Sequence, residues 1–212
     1  MYKTVESIDY VPEDSYVLEK ELRVLEELCG TAGIAHLAGV VISENPYWTI
    51  EDDSSKVLRG LLLEYHPNGT LKDAIASPKP RSTWRGWGLQ ITTALACLHE
   101  RDIPHMDLKP ENIVISKEYN AILIDVSGLG GYTREWLAPE MLDREARQQQ
   151  PMLQDTDARK QNDIWALGKI LSAMADVSCN VEEKRLLKSV ASEAMTVQLP
   201  CVPLQDVISR LS

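Results

Sequence analysis

A chain of 212 residues is long enough to bury one sizeable core, or two lobes that share an interface. Its 44% hydrophobic and 25% charged content is that of a soluble globular protein. A formal net charge of −10 argues against a nucleic-acid binder, which relies on Lys and Arg at the phosphates. Leu61-Leu62-Leu63 and Ala121 to Ile124 are strand-sized apolar runs, too short to cross a membrane. Lys3, Glu6 and Asp9 stand where a signal peptide would need an apolar core. Cys29, Cys97, Cys179 and Cys201 form no C-x-x-C pair, so reduced thiols in a cytoplasmic or nuclear protein are expected rather than a disulfide framework or a zinc site. No internal repeat is visible.

Met1 to Val5 reads as the end of a strand. From Val17 to Cys29, Leu18, Leu22, Leu25 and Leu28 recur at three- and four-residue intervals, which predicts a helix with one buried face, stopped by Gly30 and Gly33. Ile34 to Ile42 and Lys56 to Tyr65 read as strands on either side of a polar connector, Ser43 to Ser55. Asn68-Gly69 signals a turn into a short helix. Trp84, Trp87, Ile91, Leu95 and Leu98 lie on one face of a long helix between Thr83 and Arg101, with the tryptophans read as core.

Pro104 leads into His105-Met106-Asp107-Leu108-Lys109-Pro110-Glu111-Asn112, a stretch that puts an acid, a lysine and an amide within six residues. A hairpin of Ile113 to Ile115 and Ala121 to Ile124 then delivers Asp125. Asp143 to Gln161 is polar, with three glutamines in a row at Gln148 to Gln150, and reads as a surface loop or insertion. Asn162 to Leu171 opens an apolar helix, and Glu182 to Met195 and Leu204 to Leu211 read as two closing helices.

His105 to Asn112 resembles the H-R-D-L-K-P-E-N catalytic loop of eukaryotic protein kinases, and Asp125-Val126-Ser127-Gly128 resembles the D-F-G that follows it. Ala138-Pro139-Glu140 matches the A-P-E that closes the activation segment, and Asp163-Ile164-Trp165-Ala166-Leu167-Gly168 matches a D-x-W-x-x-G helix. Asp125 to Gly128 and Thr133 to Trp136 resemble divergent kinases of filamentous fungi in particular. The resemblance implies an α+β, bilobal fold: a partial small lobe over residues 1–65, carrying the family's third, fourth and fifth strands and its C helix, and a mostly helical large lobe over residues 66–212.

It also implies roles. Asp107 would accept the proton of the attacking hydroxyl, and Lys109 would steady the γ-phosphate in the manner of serine/threonine kinases. Asn112 and Asp125 would ligate Mg²⁺ as hard oxygens. Lys3, with Glu21 eighteen residues on, would take the α- and β-phosphates of ATP, and backbone groups around Glu64 to His66 would meet the adenine with Leu63 behind. His105, Glu140 and Asp163 would be structural, Asp163 holding the catalytic-loop backbone. The partner would be a protein substrate.

Departures from the pattern carry expectations too. Met106 replaces the arginine that would receive a phosphorylated activation segment, and fifteen positions separate Asp125 from Glu140, so a site not switched by that phosphorylation is expected. Val126 and Ser127 replace the Phe and Gly of D-F-G, in a chain without phenylalanine. Two residues precede Lys3, so the two strands and glycine-rich loop that roof the nucleotide are expected to be missing. Ala175 to Glu182 is short for the family's substrate-docking helix, and Val202 stands where an arginine would pair Glu140. The alternative reading is a pseudokinase, a nucleotide-binding or scaffolding module with little catalysis. A small-molecule phosphotransferase is disfavoured by Ala138-Pro139-Glu140 and by Leu108 to Glu111.

Overall fold

In a computed structural model, the described residues are 1–4, 12–44, 56–77, 84–129, 131–196 and 202–212. Three strands, β1 (Tyr2–Thr4), β2 (Leu37–Glu44) and β3 (Lys56–Leu63), form one antiparallel sheet in the order β1-β3-β2, with Lys3 opposite Leu61. Helix α1 (Pro12–Glu27) packs on this sheet through Leu18 and Leu25, with Leu28 just past its end, each 2% exposed, against the buried Leu58, Leu61 and Leu63 of β3. Burying a leucine of this kind contributes about 1.5–3 kcal/mol.

The helix starts five residues earlier than its leucine spacing predicts, with Pro12 at the first position, where its missing N–H costs nothing. The strand expected over Ile34 to Ile42 instead begins at Leu37. Residues 33–35 are drawn into other pairing: Leu123 N–H donates to Gly33 O (2.8 Å), and Ala35 N–H donates to Leu123 O (2.9 Å). This segment therefore stitches the small lobe to the hairpin that follows His105 to Asn112. Of the connector expected over Ser43 to Ser55, the first two residues belong to β2 and residues 45–55 lie outside the described residues. Thr83 and Cys201 lie outside them as well.

After β3 the chain turns through Asn68 and Gly69 into α2 (Leu71–Ala76), whose first turn is closed by a reciprocal capping box. Thr70 Oγ1 accepts from Asp73 N–H (3.2 Å), and Asp73 Oδ2 accepts from Thr70 N–H (2.8 Å). Asn68 Nδ2 donates to Ser116 O (2.6 Å), docking this turn on the hairpin β4 (Ile113–Ile115) and β5 (Ala121–Leu123).

The large lobe is built on α3 (Trp84–His99), α5 (Thr156–Val177), α6 (Val181–Ala194) and α7 (Leu204–Leu211), with α4 (Pro139–Ala146) on its flank. Trp84 and Trp87 meet edge to face at 5.2 Å, and Trp87 Nε1 donates to Tyr119 O, so both belong to the core as expected. The stretch 143–161, read as a loop, is corrected. It ends α4, makes a 3-10 turn at Pro151–Leu153, and supplies the first six residues of α5. The stretch lacks apolar periodicity because it faces outward; Asp155 starts the helix by accepting from Ala158 N–H at 2.8 Å.

Helices α5 and α6 meet at Gly168, where an added Cβ would lie 2.7 Å from Met195 Cγ and 2.9 Å from the Ala191 carbonyl oxygen. Gly168→Ala is therefore expected to cost about 1–3 kcal/mol through overpacking. Chemical denaturation checks this; equal midpoints for both proteins would contradict it. No helix among the described residues is long and apolar enough to cross a membrane.

Candidate active site

The loop from His105 to Asn112 is hung on a single carboxylate. Asp163 of α5 is fully buried; its Oδ1 accepts from Met106 N–H (2.8 Å) and its Oδ2 from His105 N–H (2.7 Å). His99 Nε2 lies 3.0 Å from the same Oδ2. A buried carboxylate is costly unless so bonded, and here it straightens a backbone that needs help: Met106 has φ of +69°, in the left-handed region. The Met106 side chain is 1% exposed and packs as core. His105 donates from Nε2 to Ile124 O (3.0 Å), which ties the loop to the residue before Asp125.

Asp107 holds its two oxygens in different states. Oδ2 accepts from Lys109 Nζ (2.6 Å) and from Asn112 Nδ2 (3.0 Å), whereas Oδ1 is buried with no hydrogen-bond partner. Lys109 Nζ also donates to Thr133 Oγ1 (2.7 Å), joining the loop to the segment before Ala138. Because the Asn112 amide nitrogen also donates to Asp107 O (2.8 Å), the amide oxygen is the atom left for a cation.

Asp125, at φ of +59°, sits one residue past Ile124, whose N–H donates to Asn112 O (3.1 Å). Its neighbour Gly128 cannot be anything else: φ is +65°, and a Cβ would stand 2.5 Å from Pro104 O. Val126 is fully buried, and buried Ser127 accepts from Leu129 N–H through its hydroxyl (3.2 Å).

Lys3, delivered by β1, bridges two acids: its Nζ is 2.5 Å from Glu21 Oε2 and 2.7 Å from Asp125 Oδ1. Burial alone lowers the Lys3 pKa, but attraction to Glu21 and then Asp125 outweighs it and leaves the ammonium above its ordinary 10.5. Glu21 is fully buried with Oε1 unpartnered, and burial raises its pKa despite Lys3. A lysine raised in the folded state contributes stability below its unfolded pKa that is lost as pH rises through the folded one. Above pH 10.5 the wild type is therefore expected to lose melting temperature more steeply than Lys3→Met; parallel curves would contradict this.

At the end of β3, Leu63 is buried, Glu64 and Tyr65 are exposed, and His66 is half-buried with Nε2 unpartnered. Glu64 N–H is already committed to His36 O (3.0 Å), which removes it from the groups expected to meet an adenine. The Glu64 carbonyl and the His66 N–H have no backbone partner among the described residues. Glu140, second residue of α4, stands apart from this constellation. Its Oε1 and the amide nitrogen of buried Asn162 both lack partners, and both residues line a cavity of about 230 Å³. Among the described residues no three or more His, Cys, Asp or Glu side chains converge on one point. One carboxylate and one amide oxygen, completed by phosphates, nonetheless fit Mg²⁺, which keeps few protein ligands.

Three contributors escaped sequence reasoning. His99 sits in a helix where its only signal is a polar residue on a buried turn. Asn162, whose Oδ1 accepts from Ala138 N–H (2.8 Å), was detectable as a second polar residue opening an apolar helix. Glu145, which bonds Tyr132 and Arg134, gave no signal at all.

The family model described as "Protein kinase domain" matches residues 2–205. The chain is 26% identical over 213 residues to mitogen-activated protein kinase kinase kinase 17 of Arabidopsis thaliana, covering 91% of this chain and 52% of that protein. It is 32% identical over 135 residues to human 3-phosphoinositide-dependent protein kinase 1, covering 59% and 23% respectively. To maternal embryonic leucine zipper kinase of Danio rerio it is 33% identical over 134 residues, covering 54% and 18%. The chain thus spans about half or less of the length of these relatives. With a match running from β1 into α7, over the same loop that Asp163 suspends, this chain belongs to the protein kinase family.

Proposed function

We propose that this chain transfers the γ-phosphate of ATP to serine or threonine hydroxyls of protein substrates, with Mg²⁺. The observation that carries the reading is the division of labour in Asp107: Oδ2 is pinned by Lys109 and Asn112, and Oδ1 is buried with no hydrogen-bond partner. A carboxylate so held is oriented without being spent, and its unpartnered oxygen is the acceptor for a hydroxyl proton once a substrate is seated against it.

In this reading Asp107 orients the substrate hydroxyl and takes its proton as the oxygen attacks phosphorus. Lys109, 2.6 Å from Asp107, lies where charge on the transferred phosphoryl develops. Asn112 and Asp125 would hold Mg²⁺, which when bound neutralises phosphate charge. Lys3, kept cationic by Glu21 and Asp125, binds the α- and β-phosphates. The Glu64 carbonyl and the His66 N–H receive the adenine. His105 and Asp163 shape the loop, and Glu140 anchors the segment end. Residues 1–65 form the small lobe and residues 66–212 the large one.

The hydroxyl specificity is tested by incubating the protein with Mg²⁺-ATP and a degenerate peptide pool, then identifying the phosphorylated residue. Phosphoserine or phosphothreonine is expected; phosphotyrosine alone would overturn the assignment.

A further inference from the structure

The segment that precedes Ala138 is fastened to the catalytic loop by Lys109 Nζ, which donates to Thr133 Oγ1. Thr133 is extended (φ −103°, ψ 117°), and along an extended chain successive side chains point to opposite sides. Its two neighbours accordingly reach away from Lys109, and both reach the same carboxylate. Tyr132 Oη donates to Glu145 Oε1 (2.9 Å), and Arg134 Nε donates to Glu145 Oε2 (2.9 Å). Glu145 therefore bridges the residues before and after Thr133, one oxygen to each.

Its location makes this arrangement more than a surface ion pair. Glu145 is in the last turn of α4, where the helix dipole disfavours an acid, so the position relies on its two donors. Its side chain is 25% exposed, against 74% for Arg134, so the carboxylate is the sheltered member. Hydrogen bonding to Glu145 also raises the pKa of the Tyr132 hydroxyl, keeping it a donor. The 3-10 turn that follows, Arg134–Trp136, has no side-chain cap of its own. Its closing bonds, Trp136 N–H to Thr133 O (2.8 Å) and Leu137 N–H to Arg134 O (3.2 Å), begin at the two residues this clamp flanks or holds.

We propose that Glu145 is a positioning residue for phosphoryl transfer: by gripping Tyr132 and Arg134 it turns the Thr133 hydroxyl onto Lys109 and so sets Lys109 against Asp107. This rests on the function proposed above. Glu145 touches no substrate; it acts through Thr133.

The test compares wild type, Glu145→Ala, Glu145→Gln and Tyr132→Phe in two readouts: steady-state phosphotransfer, and hydrogen exchange at the Trp136 and Leu137 amides. For Glu145→Ala, kcat is expected to fall roughly tenfold to a hundredfold with KM for ATP unchanged, as for a misplaced catalytic group. Exchange at the two amides should quicken. Glu145→Gln, which keeps an acceptor for Tyr132, should recover most of the rate, and Tyr132→Phe should lie between. Wild-type exchange and kcat in Glu145→Ala would overturn the proposal alone, as would a fall shared equally by kcat and ATP affinity. A wild type without transfer would overturn it together with the proposed function, a distinct outcome.

Discussion

Asp107→Asn is expected to reduce phosphotransfer by about a thousandfold while leaving Mg²⁺-ATP affinity within about threefold of wild type, the range in which general-base groups contribute. The substitution is nearly isosteric, so the loop keeps its shape. Asn112 Nδ2 can still donate to a side-chain oxygen and to the Asp107 backbone carbonyl that it already contacts at 2.8 Å. What is lost is the basic oxygen, Oδ1, that the wild type keeps without a hydrogen-bond partner. The charge partner of Lys109 is lost as well, and Lys109 should lean further toward Thr133. Because Lys3, Asn112 and Asp125 are untouched, nucleotide binding should survive. Initial rates and calorimetric titration of the same preparations check both halves of the expectation. A fall in ATP affinity matching the fall in rate would show that Asp107 acts in binding rather than in transfer.

Asp163→Ala is expected to cost about 2–6 kcal/mol, because a buried donor stripped of its acceptor costs about 1–3 kcal/mol and two are stripped at once. The two backbone donors are the N–H groups of His105 and Met106, both fully within the core. Met106 would at the same time lose the restraint that holds it at positive φ. For a domain of this size the melting temperature should fall by about 10 °C. The loss is not confined to stability, since the released loop carries Asp107 and Lys109. Calorimetry would register the first effect, and a fall in rate at temperatures where the variant remains folded the second. A variant that melts with the wild type would show that the loop is held by something other than this carboxylate.

The loop from His105 to Asn112 was legible because its pattern is local. An acid, a lysine and an amide inside six residues can converge with little help from the rest of the chain, and the Ile113 to Leu123 hairpin is written as two short apolar runs around a polar turn. The Lys3–Glu21 contact was legible only through the family spacing; nothing in either residue's neighbourhood announces a partner eighteen positions away. Helices with a leucine or tryptophan stripe were legible, α3 within two residues at each end and α1 within two at its end but five at its start. The first two turns of α5 were not, because Thr156 to Gln161 are mostly polar and carry no apolar stripe; only the Asp155 cap marks their start. The pairing of residues 33–35 with Leu123 is a tertiary event that shifts the start of β2, beyond the reach of any local pattern. The Glu145 bridge is illegible for the same reason: three ordinary polar residues acquire meaning only when α4 folds back beside them.

Phosphoryl transfer from a loop hung on Asp163 and driven by Asp107 is the central claim. Its most direct test is a single-turnover assay with γ-labelled ATP, Mg²⁺ and a serine/threonine protein substrate, run on wild type and Asp107→Asn after each has been shown to bind nucleotide. The expected result is label on serine or threonine with the wild type and about a thousandfold slower labelling with the variant. Nucleotide binding by both proteins with equal labelling, or with none, would contradict it.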